Sequence, residues 1–200
     1  MMKICFLACE IYQPELEQVL AQIKQEKLFS CKLELTYLPA KLHVDLKKLK
    51  TAVLQALDAV VADRIILLYG SKCHPGFDEF LQNYPVIRFE PANCVELILG
   101  EHIQDSRTFC LTSGWMLKWR EIFDPGWGVD VVAMRQSFAC YERILFTDTG
   151  VSETTDEQLL DFFEHTRIPI EVEQGGLAAF KAAITTAIRQ AISAGKQGQV

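Results

Sequence analysis

An α/β fold with a mostly parallel sheet and helices on both faces is predicted by three features of the sequence. Short runs of β-branched and aromatic residues alternate with longer segments of helical apolar period along the whole chain. Two of those runs, 65–69 and 86–89 within RIILLYGSKCHPGFDEFLQNYPVIRFEPANCVELILG, lack polar alternation and read as strands buried on both faces. Each passes directly into a turn-rich loop that opens a helical pattern. Such a loop lies at the carboxyl edge of a parallel sheet, where open α/β folds bind their ligands. The expectation is a Rossmann-like layer sandwich, one domain over residues 1–195 with a frayed tail at 196–200; two lobes around a cleft are a permitted variant.

The first strand is expected at 3–8, in KICFLAC. Residues 12–28 place Leu16, Val19, Leu20 and Ile23 at helical spacing, with Pro14 tolerated in the first turn. A second strand at 32–38 alternates Leu33, Leu35 and Tyr37. Asp45, after the link PAKLHVD, is placed to cap a helix running to about Ala62. The two central strands follow, then a helix over 94–102. A short strand at 108–112 leads to the helix SGWMLKWREIF, with Ser113 as its cap, and to a turn cluster, DPGWGVD, at 124–130. Helix 131–139, strand 143–147 with the turn DTG, helix 155–165, strand 168–172 and an amphipathic helix 177–194 complete the chain.

With 200 residues, 50% apolar and 23% charged, the chain can fill one core and is too short for two full-sized domains. A net charge of −6 argues against nonspecific nucleic-acid binding. No apolar run has the length of a membrane span, and residues 1–30 lack a signal-peptide pattern, so a cytoplasmic protein is expected. There an odd count of seven cysteines does not suggest a disulfide framework. Cys5 and Cys110 lie inside strands and read as small core hydrophobes; Cys31 and Cys140 carry no signal.

Cys9, Cys73 and Cys94 differ from these, because each follows a different expected strand and a parallel sheet brings all three to one edge. Soft sulfur ligands select zinc or iron–sulfur clusters, and three protein ligands with an open fourth position is the pattern of a reactive zinc site. His43 and His74 are candidates for the fourth ligand. The spacing is diffuse and contains no C-x-x-C pair, so a metal site and three unligated core thiols stay equally open on spacing alone. His43, Tyr69, Gly70, Trp115 and Asp148 are the candidates for contact with a bound cofactor at the same edge. Gly70, Gly76 and Gly100 could admit backbone to an anion, although neither G-x-G-x-x-G nor a P-loop is present. Cys94, near a helix start, is also a candidate nucleophile. Trp115, Trp119 and Trp127 read as a core cluster or as a lid over a flat ligand. Glu10 and Glu96 become acid–base or supporting groups if buried.

The segments ACE at the start, YLPAKLH at 37–43, YGSKCHPG at 69–76, NCVELILG at 93–100, LTSGWML at 111–117 and DTG at 148–150 together resemble the prokaryotic family called domain of unknown function 1638. The resemblance spans nearly the whole chain, and the segments occur in the family's order. Glu10 and His74 stand where typical members have glycine after the first and second motif cysteines. The resemblance implies a cytoplasmic, anaerobe-associated protein, sometimes encoded near corrinoid-dependent methyl-transfer systems, and it maps three recurring cysteines onto Cys9, Cys73 and Cys94.

Two functions are therefore expected to compete. In the first, the three cysteines hold zinc or an iron–sulfur cluster, with a thiol or corrinoid ligand and a link to methyl transfer. In the second, the protein is a non-catalytic module for a small molecule or tetrapyrrole, with structural thiols. Neither assigns catalytic residues, an oligomeric state, or whether turnover occurs, and neither calls for a membrane or nucleic-acid partner.

Overall fold

A computed structural model describes residues 1–100, 105–124 and 128–197. The apolar runs form strands as their composition dictates, and they divide between two parallel sheets. The first has four strands in the order β2-β1-β3-β4: β1 Lys3–Cys9, β2 Lys32–Leu38, β3 Arg64–Leu68 and β4 Val86–Arg88. β1 is central, and Ile4, Phe6, Leu7 and Ala8 are fully buried. The second has three strands in the order β5-β6-β7: β5 Thr108–Thr112, β6 Arg143–Asp148 and β7 Ile170–Gln174. The layered α/β class is as expected; the division of the strands into two sheets is the two-lobed variant.

The helices close the crossovers. A single 3-10 turn, Glu10–Tyr12, precedes α1 Gln13–Gln25, so the expected helix begins one turn tighter than a continuous α pattern. The link 40–44 is also 3-10, and α2 Leu46–Ala59 starts where Asp45 accepts the Lys48 amide at 3.0 Å. α3 Phe77–Phe80 is a single short turn. α4 Cys94–Leu99 stops earlier than its apolar pattern predicts, because Gly100 takes φ +73°, the left-handed position that ends helices. α5 Ser113–Phe123 begins one residue before expectation: Thr112 occupies the cap position, and neither hydroxyl caps the helix. α6 is Val131–Phe138, and α7 Asp156–Thr166 opens on a capping box formed by Thr155 and Gln158.

β7 starts two residues later than predicted, since Pro169 has no amide to give a ladder, although its carbonyl accepts from Ile144 at 2.8 Å. The final helix, α8 Ala178–Gln197, runs into the expected tail, as Lys196 and Gln197 are good helix formers; 198–200 lie outside the described residues. So do 125–127 of the turn cluster, Trp127 among them, and 101–104, which include the end of the helix expected over 94–102.

α8 returns from the second sheet to pack on α1, α4, β3 and β4 of the first. A continuous cluster of buried apolar side chains runs from Ile4 and Leu67 through Trp115 and Phe146 to Phe180 and Ile188, and so joins both sheets. No helix of the described residues is long and apolar enough to cross a membrane.

Candidate functional site

In the first sheet the strand order reverses between β1 and β3: the chain moves outward from β1 to β2 on one side and from β3 to β4 on the other. The crevice beyond the carboxyl ends at such a point is the ligand position of open α/β sheets. Cys9 is the last residue of β1, and Tyr69 follows the last residue of β3. Beyond Tyr69 the loop is pinned sideways to the loop that precedes α4. Ser71 and Lys72 donate to the carbonyls of Pro91 and Ala92, both at 3.0 Å, and the Cys73 amide turns back to Gly70 at 3.0 Å. Gly70 is required for this approach, since a Cβ there would stand 2.4 Å from the Ala92 carbonyl oxygen. Asn93 caps α4 by accepting the Glu96 amide at 3.0 Å, which fixes Cys94 as its first residue.

The three thiols consequently share one neighbourhood. Cys73 raises the pKa of both Cys9 and Cys94, and Cys9 also raises that of Cys94. Burial is the larger cause in each case: it pushes Cys9 up to about 12 and Cys73 up to about 11, and raises Cys94 as well. All three are thiols at neutral pH. The Trp115 indole N–H donates to Cys94 Sγ at 3.0 Å, an interaction that favours the thiolate but is outweighed by burial. Among the described residues, no group of three or more His, Cys, Asp or Glu side chains is gathered tightly enough to hold a metal ion.

Two phenols complete this chamber. Tyr12 and Tyr69 are buried, and charge on any of the three thiols would bear on Tyr12, as charge on Cys9 or Cys73 would on Tyr69. Neither hydroxyl has a hydrogen-bond partner among the described residues. Tyr69 is near enough to Cys9 to favour its thiolate, yet the two do not meet at hydrogen-bonding geometry.

A buried carboxyl ties the second sheet to this edge. Glu15, fully buried on α1, accepts the Gly114 amide in the first turn of α5 at 2.9 Å and the Thr149 hydroxyl at 3.3 Å. Thr149 Oγ1 also lies 3.0 Å from Ser113 Oγ, a hydroxyl pair that shares the same hydrogen-bond network. Burial raises the Glu15 pKa above its ordinary value against the pull of these donors. Gly114 permits the contact, because a Cβ would stand 1.9 Å from the Ile11 carbonyl oxygen. The LTSGW and DTG turns therefore meet the end of β1 through Glu15.

Beside Cys94 opens a cleft of about 640 Å³, lined by aromatic side chains of the second sheet's layer, Phe109, Phe138 and Tyr141, and by Trp115 and His43. The size suits a small organic ligand. His43 meets the Trp115 ring edge-on at 5.4 Å, and burial lowers its pKa, so it is a neutral imidazole.

The candidates thus separate. Cys9, Cys73, Cys94 and Tyr69 come together, Gly70 shapes their loop, and Trp115 and His43 lie on the cleft side of Cys94. Asp148 does not reach them: it accepts the Gly150 amide at 2.9 Å within its own turn, and its neighbour Thr149 makes the inward contact. His74 is spent locally, Nδ1 on the Gly76 amide at 2.9 Å and the ring against Phe77 and Phe80. Glu10 accepts from the Ala40 amide at 3.1 Å, and Glu96, although buried, from the Ala92 amide at 2.9 Å; both carboxylates hold loops. Gly76 and Gly100 serve a turn and a helix stop. Cys110 is half-buried on the cleft and is not a core residue, whereas Cys5 is. Trp115 and Trp119 are buried in different directions, Trp119 against Phe162 and His165.

Tyr12 and Glu15 were not legible as site residues. Their signal was a phenol and a carboxylate on the stripe that continues to Leu16, Val19 and Leu20, where apolar residues belong.

The family model described as Protein of unknown function (DUF1638) matches residues 37–184, and the chain belongs to that family. His43, Cys73 and Cys94 fall inside the matched span; Cys9 precedes it. No curated protein and no solved structure matches the chain.

Proposed function

We propose, for this member of the DUF1638 family, a metal-binding α/β protein in which Cys9, Cys73 and Cys94 supply thiolates to zinc or an iron–sulfur cluster. The observation that carries the reading is the sharing of one buried neighbourhood by three thiols from three successive strand ends, at the point where strand order reverses. The donor set fits a soft ion. The thiols are not gathered into a ligand set as they stand, so binding requires side-chain rotation and loss of their protons. When bound, zinc would supply Lewis-acid activation of a substrate thiol as thiolate, chemistry suited to methyl transfer to or from sulfur, with a thiol or corrinoid partner. The chain's own contribution is to exclude water, to orient Cys94 through Trp115 and to leave the cleft as the approach.

A second reading draws on the cleft itself: its aromatic lining and volume suit a small molecule or tetrapyrrole, with the thiols as packing. Metal analysis of protein purified without oxygen or chelator separates the two. Cys9→Ala, Cys73→Ala and Cys94→Ala are each expected to lose most of the zinc or iron, while Cys5→Ala and Cys140→Ala retain it. Wild-type protein with less than about a tenth of an equivalent of either metal would leave only the second reading.

A further inference from the structure

β5 is an edge strand of the second sheet, paired with β6 on one side only. Its other side borders the cleft beside Cys94, because three consecutive residues, Thr108, Phe109 and Cys110, line that space. Successive side chains of a strand point to opposite faces, so a cavity that touches all three lies along the edge. The two faces are distinct here. Phe109 packs on Phe138 and Tyr141 with centroids at 4.9 and 5.2 Å, whereas Thr108 Oγ1 accepts from Arg143 at 2.8 Å. Backbone groups alternate as well, each residue turning its N–H and C=O to one side. The Arg107 carbonyl accepts from Glu142 at the foot of β6, and Ile144 of β6 donates to Pro169 on the far side. Phe109 and Leu111 therefore serve the ladder to β6, and Thr108 and Cys110 face away from it, along the cleft. The Thr108 amide is taken by the Asp105 carbonyl at 3.3 Å. Left over are the Thr108 C=O, the Cys110 N–H and the Cys110 C=O, none with a hydrogen-bond partner among the described residues.

The open edge thus presents an acceptor, a donor and an acceptor in that order, beside an arc of rings. Trp115 meets Phe109 edge-on at 5.8 Å and His43 at 5.4 Å, so the arc runs from Tyr141 through Phe109 and Trp115 to His43. We propose that the cleft binds a 6-aminopurine, whose amino group donates to a β5 carbonyl while ring nitrogen N1 accepts from the Cys110 N–H. That assignment rests on the cleft as a small-molecule site, names the ligand class, and needs no metal at the cysteines. A flat ring suits aromatic walls, and an adjacent donor and acceptor on its rim satisfy an edge that apolar walls alone would leave unread. A tetrapyrrole fits less well, since its ring nitrogens point to the centre of the macrocycle and give its rim no such pair. An added peptide strand fits less well too, because three free backbone groups make a short ladder. The volume of about 640 Å³ leaves room beyond the base for a sugar. A second amino group at C2 would match the remaining carbonyl and complete the pattern.

The test titrates the full, nitrogen-15-labelled chain with adenosine, 2-aminoadenosine and N6,N6-dimethyladenosine, and follows backbone amide shifts. Adenosine should bind saturably and move the Cys110 amide proton downfield. 2-Aminoadenosine should bind about threefold tighter or more, and the dimethyl compound, which has lost its amino N–H, about tenfold weaker or more. Cys110→Pro removes the N–H without costing a ladder bond, as edge strands allow, and should weaken adenosine binding about tenfold or more. Should that variant not fold, the ranking of the three nucleosides decides alone. Adenine and adenosine 5′-monophosphate, titrated alongside, assign the form in which the base arrives; preference for either over its 6-dimethylamino counterpart supports the same contact. Dimethyladenosine binding within twofold of adenosine, or an adenosine titration that leaves the Cys110 amide unmoved, would overturn the proposal and leave the cleft a small-molecule site. Absence of binding by every purine would also overturn it. The dye 8-anilinonaphthalene-1-sulfonate then judges the cleft separately: shifts of the Phe109 and Tyr141 amides keep the small-molecule reading, and their absence ends it as well.

Discussion

Glu15 is a buried carboxyl that joins α1 to the first turn of α5 and to the turn after β6. It is fully buried, one oxygen is shared by the Gly114 amide and the Thr149 hydroxyl, and Oε2 has no partner among the described residues. A carboxylate in that position would leave a charge poorly solvated, and burial raises its pKa above 4.5. Below 4.5 the carboxyl is protonated in the folded and unfolded chains alike, and its contribution to stability is fully present. As pH rises past 4.5 the unfolded chain releases its proton first, and stability is lost until pH has passed through the folded pKa. Glu15→Gln keeps a neutral group of the same shape and has no such slope. Urea unfolding measured at intervals from pH 4 upward should therefore shift in the variant's favour, by about 1.4 kcal/mol per pH unit across that window. Parallel stability curves for the two proteins would show that the carboxyl is not held protonated.

At the scale of elements, the loop after β3 and the loop before α4 act as one unit, and Gly70 is the contact that makes them so. An added Cβ would meet backbone, 2.4 Å from the Ala92 carbonyl oxygen and 2.5 Å from Asn93 Cα, and backbone cannot swing aside. Gly70→Ala is expected to cost about 1–3 kcal/mol and to make Cys73 and Cys94 react faster with an aromatic disulfide reagent, because the two loops part. Gly176→Ala is the control. Nothing lies within 4 Å of its Cβ position, so it should be neutral or stabilise by up to about 1 kcal/mol. Equal effects on urea midpoint and thiol reactivity would break the link between the glycine and the site. The strands and most helices at this scale were legible, since apolar runs and the Asp45 cap are local signals. The shift of β7 past Pro169 and the stop of α4 at Gly100 follow equally local rules, given too little weight against apolar periodicity. The common edge of the three cysteines was legible through topology: a loop after a parallel strand has a known edge. The partners of Asp148 and His74 were not, because a turn residue bonding its own backbone looks the same in sequence as one facing a ligand.

For the whole molecule, the division into two sheets could not be read from periodicity, which fixes strands but not their neighbours. The path of the chain nevertheless argues against two independent halves. Residues of the second sheet enter after α4 and leave into α8, and α8 is buried against the first sheet, with Phe180, Ile184 and Ile188 fully inaccessible. The second sheet is thus held at both ends by the first. Between them lies the Glu15 network with the Gly114 close approach, and one apolar cluster is common to both. Separating the sheets would expose that cluster and strand a buried carboxyl, so neither half has a stable surface alone. Trp119, packed on Phe162 and His165, reports on the second half, and Trp115, bonded to Cys94 and packed on His43, reports on its junction with the first; far-ultraviolet circular dichroism reports on helices of both. Urea unfolding followed by the two signals should give coincident midpoints and a single transition. Removal of residues 178–200 should abolish that transition for both signals together, since it uncovers the faces of β3 and β4 as well as α1. A tryptophan midpoint clearly apart from the dichroism midpoint, or retention of the tryptophan transition after the truncation, would mean that the second sheet folds by itself and that the thiol edge is a junction between two bodies.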